Sequence, residues 1–174
     1  MDDGGFVFQG QGTLYNQTGQ SVYQGLWEDG IRSGNGTAWL EDGSIYSGNW
    51  VDDYPDGKGT YLFPDGTEYE GGFIRGKKHG QGTFKEADGF VSYDGEWKDG
   101  QRFGKGRVNK RDSSSYDGDW LDGKPHGNGM FTYPDGRVYT GTMKQGLRQG
   151  LGELRRSDGS CLLYTSPSPR DATT

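Results

Sequence analysis

The residues of this chain that could do chemistry are two histidines, a scatter of clustered cations, one cysteine and several close carboxylate pairs. His79 and His126 each stand directly before a Gly-x-Gly, in separate copies of one repeated pattern. A zinc ion needs three or four ligands around one point. Two strands per copy at about 4.8 Å each set these histidines roughly 20 Å apart, too far to share an ion. No other histidine is present, which removes a Ser-His-Asp or Cys-His arrangement. Cys161 stands alone and is a poor candidate for a nucleophile. Asp52-Asp53 and Asp117 with Asp119 are close carboxylates, but glycosidase chemistry needs two in a cleft at a set separation. At i and i+2, Asp117 and Asp119 share the outward face of a strand. Gly80-Gln81-Gly82 has the look of a phosphate loop, yet Gly-x-Gly recurs six times and leads into strands, not into a helix N-terminus. Gly100 to Lys105 is one spacer short of a P-loop. No catalytic residue, metal site or cofactor is therefore expected. One charge cluster has a use: Lys105, Arg107, Lys110 and Arg111, with Lys77 and Lys78 one repeat earlier, fit the footprint of an anionic lipid surface. Asp94, Glu96, Asp112, Asp117 and Asp119 offset it.

The elements that position these residues follow from self-similarity. Tyr23-Gln24-Gly25-Leu26-Trp27 returns at Tyr46 to Trp50, Tyr69 to Phe73, Tyr93 to Trp97, Tyr116 to Trp120 and Tyr139 to Met143. The leading tyrosines lie 23 or 24 residues apart. A Gly-x-Gly follows each tyrosine, at Gly34/Gly36, Gly57/Gly59, Gly80/Gly82, Gly104/Gly106, Gly127/Gly129 and Gly150/Gly152. Asp-Gly follows at Asp42-Gly43, Asp65-Gly66, Asp88-Gly89, Asp135-Gly136 and Asp158-Gly159, with Asp112-Ser113 in the fourth copy. Tyr, Gly and Trp at i, i+2 and i+4 share one face of a strand, and Gly-x-Gly-x-apolar does the same. Each repeat reads as two short strands. Asp-Gly is expected to join successive repeats through a type I′ turn, and a longer loop to join the strands within a repeat. The glycines are expected to clear floor space, so that a Tyr or Trp ring can lie against backbone.

Composition agrees. Gly is 34 of 174 residues and aromatics are 14%, so rings and glycines replace an aliphatic core. This excludes a Rossmann domain, a TIM barrel and a helical bundle. Gly is not at every third position, which excludes collagen. No apolar run nears the ~20 residues of a membrane helix, and the first residues lack the flank and apolar stretch of a signal peptide. The single cysteine points to a reducing, cytoplasmic compartment. The net charge of −6 argues against binding nucleic acid through phosphates. Residues 1–87 hold 13 acidic and 6 basic side chains, net −7, while residues 88–174 hold 12 and 13, net +1.

These marks resemble the MORN repeat family (membrane occupation and recognition nexus), in six copies from Tyr23 to about Ser160. Phe73 and Met143 at the Trp position, Asp53 at a loop Gly and Ser113 in a turn depart from the pattern. The fold expected is all-β: a solenoid-like ribbon of stacked antiparallel hairpins, about 23 residues per repeat and on the order of 60 Å long. Residues 1–22 read as a partial repeat and 23–160 as one domain of six repeats. Residues 161–171 resemble a translated sequencing-library adapter, so 161–174 reads as a non-native, disordered tail. The resemblance implies a non-enzymatic scaffold or protein-interaction module in cytoskeletal, ciliary or membrane-associated assemblies. The aromatic stripe, Tyr23, Trp27, Tyr46, Trp50, Tyr69, Phe73, Tyr93, Trp97, Tyr116, Trp120 and Tyr139, is either a partner groove or internal packing. Free strand edges would also let the chain self-associate. Two other roles stay open: the accessory module of a lipid-phosphate kinase or protein-lysine methyltransferase whose catalytic domain lies past Ser160, and a module that binds anionic phospholipid.

Overall fold

The computed structural model describes residues 7–166; the expectations for residues 1–6 and 167–174 lie outside the described residues. The chain divides into two compact units, residues 1–90 and 91–174. The first holds β1 (Gly10–Tyr15), β2 (Ser21–Glu28), β3 (Ile31–Trp39), β4 (Ile45–Val51), β5 (Tyr54–Leu62), β6 (Glu68–Ile74) and β7 (Lys77–Lys85). The second holds β8 (Val91–Lys98), β9 (Gln101–Asn109), β10 (Ser115–Leu121), β11 (Lys124–Thr132), β12 (Val138–Lys144), β13 (Leu147–Arg155) and β14 (Cys161–Ser166). Within each unit consecutive strands pair antiparallel. Among the described residues there is no helix. The all-β hairpin repeat read from the sequence is thus the architecture of the protein.

The turns are assigned the other way round from expectation. The tight two-residue connections lie within repeats. Asp29-Gly30, Asp52-Asp53, Arg75-Gly76, Asp99-Gly100, Asp122-Gly123 and Gln145-Gly146 all hold positive φ at both residues, as type I′ requires. The Asp-Gly connections between repeats are one residue longer. At Leu40 to Ser44 the Gly43 N–H donates to Leu40 O and the Leu40 N–H to Ser44 O, while only Gly43 has positive φ. That is a type I turn closed by a glycine bulge, a three-residue hairpin loop. Asp42 sits in the turn and takes the Ser44 N–H on Oδ1 at 2.9 Å. Its carboxylate thus fixes the longer loop and removes the need for a left-handed Asp. In the fourth copy Ser113 adopts the left-handed value itself, φ 68°.

The second strand of each hairpin carries a bulge. Gly25 pairs with Gly36, but Leu26 pairs with Ser33, so two residues of β3 are extruded. The first glycine of every Gly-x-Gly occupies this bulge with positive φ, as at Gly34 and Gly104. The second glycine lies in a row that crosses the sheet: Gly12, Gly25, Gly36, Gly48, Gly59, Gly71 and Gly82 face one another strand by strand in the first unit. Gly95, Gly106, Gly118, Gly129, Gly141 and Gly152 do so in the second.

Residues 161–166 correct the expected disorder of the tail. They form β14 on the edge of β13, with Arg155 opposite Cys161 and Glu153 opposite Leu163. An open edge offers unpaired N–H and C=O groups to any extended segment. The turn at Asp158 to Ser160 folds this one back onto it.

Candidate interaction surfaces

The tyrosine that opens each repeat lies over two glycines of the row. A Cβ on Gly48 would stand 2.6 Å from Tyr46 Oη and 2.5 Å from Gly59 Cα. The ring reaches across to the bulge, where Tyr46 Oη donates to Asn49 O at 2.9 Å and Tyr93 Oη to Glu96 O at 2.9 Å. The Trp or Phe four residues on meets the tyrosines edge to face. Tyr23 stands between Trp27 and Trp50, at centroid distances of 5.0 and 5.4 Å, and Tyr93 between Trp97 and Trp120 at 5.1 and 5.5 Å. Trp50 Nε1 donates to Gly36 O at 3.0 Å and Trp120 Nε1 to Gly106 O at 2.8 Å. Buried indoles need such a partner. All eleven candidate aromatics are 8% exposed or less. Of the two uses left open by the sequence, partner groove or packing, the structure places these side chains in packing. Burial pushes the hydroxyls of Tyr46, Tyr69 and Tyr116 up to about 12.

What covers the column was not singled out from the sequence. Nine residues after each leading tyrosine stand Arg32, Pro55, Lys78, Arg102, Pro125 and Arg148. Arg32 lies 4.2 Å from the Trp50 ring centre, Arg102 4.7 Å from that of Tyr93, and Arg148 4.8 Å from that of Tyr139. These are cation–π contacts. Lys78, a candidate lipid contact, spends its ammonium the same way, about 5 Å from the rings of Phe63, Tyr69 and Phe84. Strand parity points the whole series inward, but its mixed Arg, Pro and Lys identity hides it from a motif search.

The remaining basic candidates do not converge. Lys105 pairs with Asp119, whose carboxyl this contact holds below the usual range. Arg107 stands opposite Asp94 on one side and Asp117 on the other, with Nε on Asn109 Oδ1 at 3.0 Å. Lys110 and Arg111 are exposed at a turn, and Lys77 is exposed at the start of β7. His79 and His126 occupy equivalent places beside their bulges, in different units. Among the described residues no three His, Cys, Asp or Glu side chains gather as a metal site.

The outward faces of the two units differ. In the first, Trp39 pairs with Ile45 and Ile45 with Leu62, an apolar row across β3, β4 and β5. Val22 joins Trp39 in a cleft of about 490 Å³ that Leu40 also lines. The row ends in charge, where Lys85 holds Glu68 at 2.9 Å and Glu70 at 2.8 Å. Those two carboxylates push the Lys85 ammonium up to about 12. In the second unit the equivalent row reads Asn109, Ser115, Thr132, Val138 and Arg155.

Hairpins of one design, joined strand to strand with a glycine row under tyrosine rings, define a β-hairpin repeat protein. The family model for the MORN repeat matches residues 23–45, 46–68, 69–90, 93–109, 116–136 and 139–161. The chain belongs to the MORN repeat family, a family of non-catalytic repeat modules. No curated protein matches the sequence. Among solved structures, the TCP domain of SAS-4 (dCPAP) of Drosophila melanogaster, in complex with a proline-rich motif of Ana2 (dSTIL), is similar. Identity is 13% over 90% of each chain, with a TM-score of 0.48.

Proposed function

We propose that the chain is a non-enzymatic scaffold that holds a protein partner on the outward face of its first unit. The observation that carries this is the row of Val22, Trp39, Ile45 and Leu62 on a face with no covering layer of its own among the described residues. Tryptophan in an apolar cleft with a polar surround is the composition of a binding hot spot. The buried Tyr–Trp column takes the structural role, and the partner meets the opposite side of the same strands. The partner is a cytoplasmic protein of a cytoskeletal, ciliary or membrane-associated assembly, the settings the family resemblance implies. Self-association adds to this. β14 pairs on one side only among the described residues, and Leu162 and Leu163 are exposed on it.

The test is a photo-crosslinking residue placed at Ile45 or, as control, at Ser115. One discrete adduct is expected from Ile45 and none from Ser115. It should disappear in Trp39→Asp while the melting temperature holds. Equal labelling from both positions sinks the reading. So does salt-sensitive sedimentation with anionic vesicles that is lost on reversing Lys105 and Arg107, since that result makes the chain a lipid binder. A strictly monomeric sedimentation profile at high concentration removes the self-association.

A further inference from the structure

Arg32 and Arg102 hold the same place in the repeat and the same stack on a Tyr–Trp pair, but only one has a counter-ion. Asp53 takes both the backbone N–H and the Nε of Arg32 on Oδ1, each at 2.9 Å, and its carbonyl takes the guanidinium's Nη2 at 2.9 Å. Asp53 does this from a turn position where the other repeats have glycine, at a left-handed φ of 66°. The equivalent residue beside Arg102 is Gly123, whose N–H reaches Arg102 O at 3.0 Å as that of Asp53 reaches Arg32 O. The backbone frame is therefore conserved between the two places and the carboxylate is missing from one. Among the described residues no carboxylate pairs with Arg102. Its guanidinium is half-buried, and burial works against its charge.

The place that Asp53 takes beside Arg32 is open beside Arg102, where a Cβ on Gly123 would meet nothing within 4 Å. A cleft of about 400 Å³ beside Arg102 is lined by Lys98, Asp99, Gln101, Arg102, Phe103, Leu121 and Asp122. Lys98 lies 5.0 Å from the Phe103 ring centre, on the face opposite to that on which Arg102 stacks on Tyr93 and Trp120. Asp99 and Asp122 are the first residues of their two-residue turns, exposed, and neither is bonded to Arg102. A half-buried guanidinium without a counter-ion is costly, and a planar carboxylate is the group that matches its fork.

We propose that the open position beside Arg102 and Gly123 is a binding site for the carboxylate of an acidic side chain of a partner protein, seated where Asp53 seats against Arg32. A carboxylate fits better than a bulkier tetrahedral phosphate, because the internal pair already shows the seat filled by one. This deepens the interaction-module reading and rests on it for its biological meaning.

The experiment reads the Arg Nε–H resonances of the full chain during titration with acetyl-Leu-Glu-Leu-amide. The Arg102 signal should move and saturate in the millimolar range. The Arg32 signal, already paired, should stay. Gly123→Asp supplies the carboxylate from within and should weaken the response at least about tenfold, while Asp53→Gly should make Arg32 respond as Arg102 does. An unmoved Arg102 signal overturns the proposal. So does an equal response to the Gln peptide, an equal shift of Arg32 in the parent, or a response to inorganic phosphate or phosphatidylserine vesicles that the peptide does not produce. These outcomes are separate from the crosslinking at Ile45. Loss of that adduct with a responsive Arg102 ends the outward-face reading and leaves the carboxylate seat in place.

Discussion

Residues 1–90 and 91–174 share an interior and differ in what they turn outward. Both stack tyrosines over a glycine row, and both lock the ring hydroxyl onto the carbonyl opposite the bulge. The first unit lays tryptophan, isoleucine and leucine along its outer row; the second lays asparagine, serine and threonine. The first closes its arginine with Asp53, and the second leaves Arg102 open. The inner positions have no latitude because backbone, ring and neighbouring backbone are in contact. The outward positions meet solvent, so they can diverge without changing the register. Function in such a repeat is to be sought at positions where the copies disagree.

The largest effect expected tests the shared interior. Gly48→Val and Gly118→Val each push a side chain into backbone and a tyrosine, and each should cost about 3 kcal/mol or more. In an array stabilised by neighbours the damage should stay local. Hydrogen exchange should quicken in β3–β6 for the first variant and in β9–β12 for the second. Wild-type melting in either would remove the explanation of the glycine row.

Alkaline pH tests the buried tyrosines next. The unfolded chain ionises its tyrosines near 10, whereas Tyr46, Tyr69 and Tyr116 hold their protons to about 12. The stability they contribute is full below pH 10 and is lost as pH rises towards 12. The tyrosinate absorbance of the buried rings should therefore rise together with loss of far-UV dichroism. Tyr116→Phe should shift that curve less than Tyr46→Phe with Tyr69→Phe. Complete ionisation of the tyrosines before any loss of dichroism would contradict it.

The acid side should not distinguish the units. Asp42 and Asp65 in one, and Asp112, Asp135 and Asp158 in the other, sit below the usual carboxylate range because each accepts hydrogen bonds within its turn. Their contribution is present above 3.8, the ordinary value, and fades as pH falls through the lowered values. A denaturant midpoint that falls alike for Asp65→Asn and Asp135→Asn fits this; a difference between them would show that the turns are not equivalent. Smallest is the exchange of Asp53→Gly and Gly123→Asp. A partly exposed ion pair and a left-handed Asp offset each other, so each variant should change stability by less than about 1 kcal/mol. A larger loss in Asp53→Gly would mean that the Arg32 pair anchors the first unit.

The strands and their inner face were legible because Tyr-x-Gly-x-Trp fixes a period of two. The bulge did not spoil this, since it extrudes two residues and keeps Arg32 on the inner side. The turn types were not legible. Asp42-Gly43 carries the letters of a type I′ turn, but one more loop residue and the Asp42 carboxylate make it a bulged type I turn. Trp39, Ile45 and Leu62 escaped notice because they lie on three different strands, and only the register brings them into a row. The strand at Cys161–Ser166 was missed because edge pairing is a demand of the backbone, indifferent to side-chain rhythm.

The glycine row has a consequence for how such a chain can change length. The seams from β2 to β7 and from β8 to β13 set glycine against glycine, and a tyrosine lies over the glycine pair of each hairpin. Excision of residues 46–68 would bring Tyr69 beside Ala38 and Gly71 beside Gly36, which is the seam that Tyr46 and Gly48 form now. Whole copies are thus interchangeable parts, and the distance between an outward patch and its neighbours can be reset by one copy without redrawing the interior.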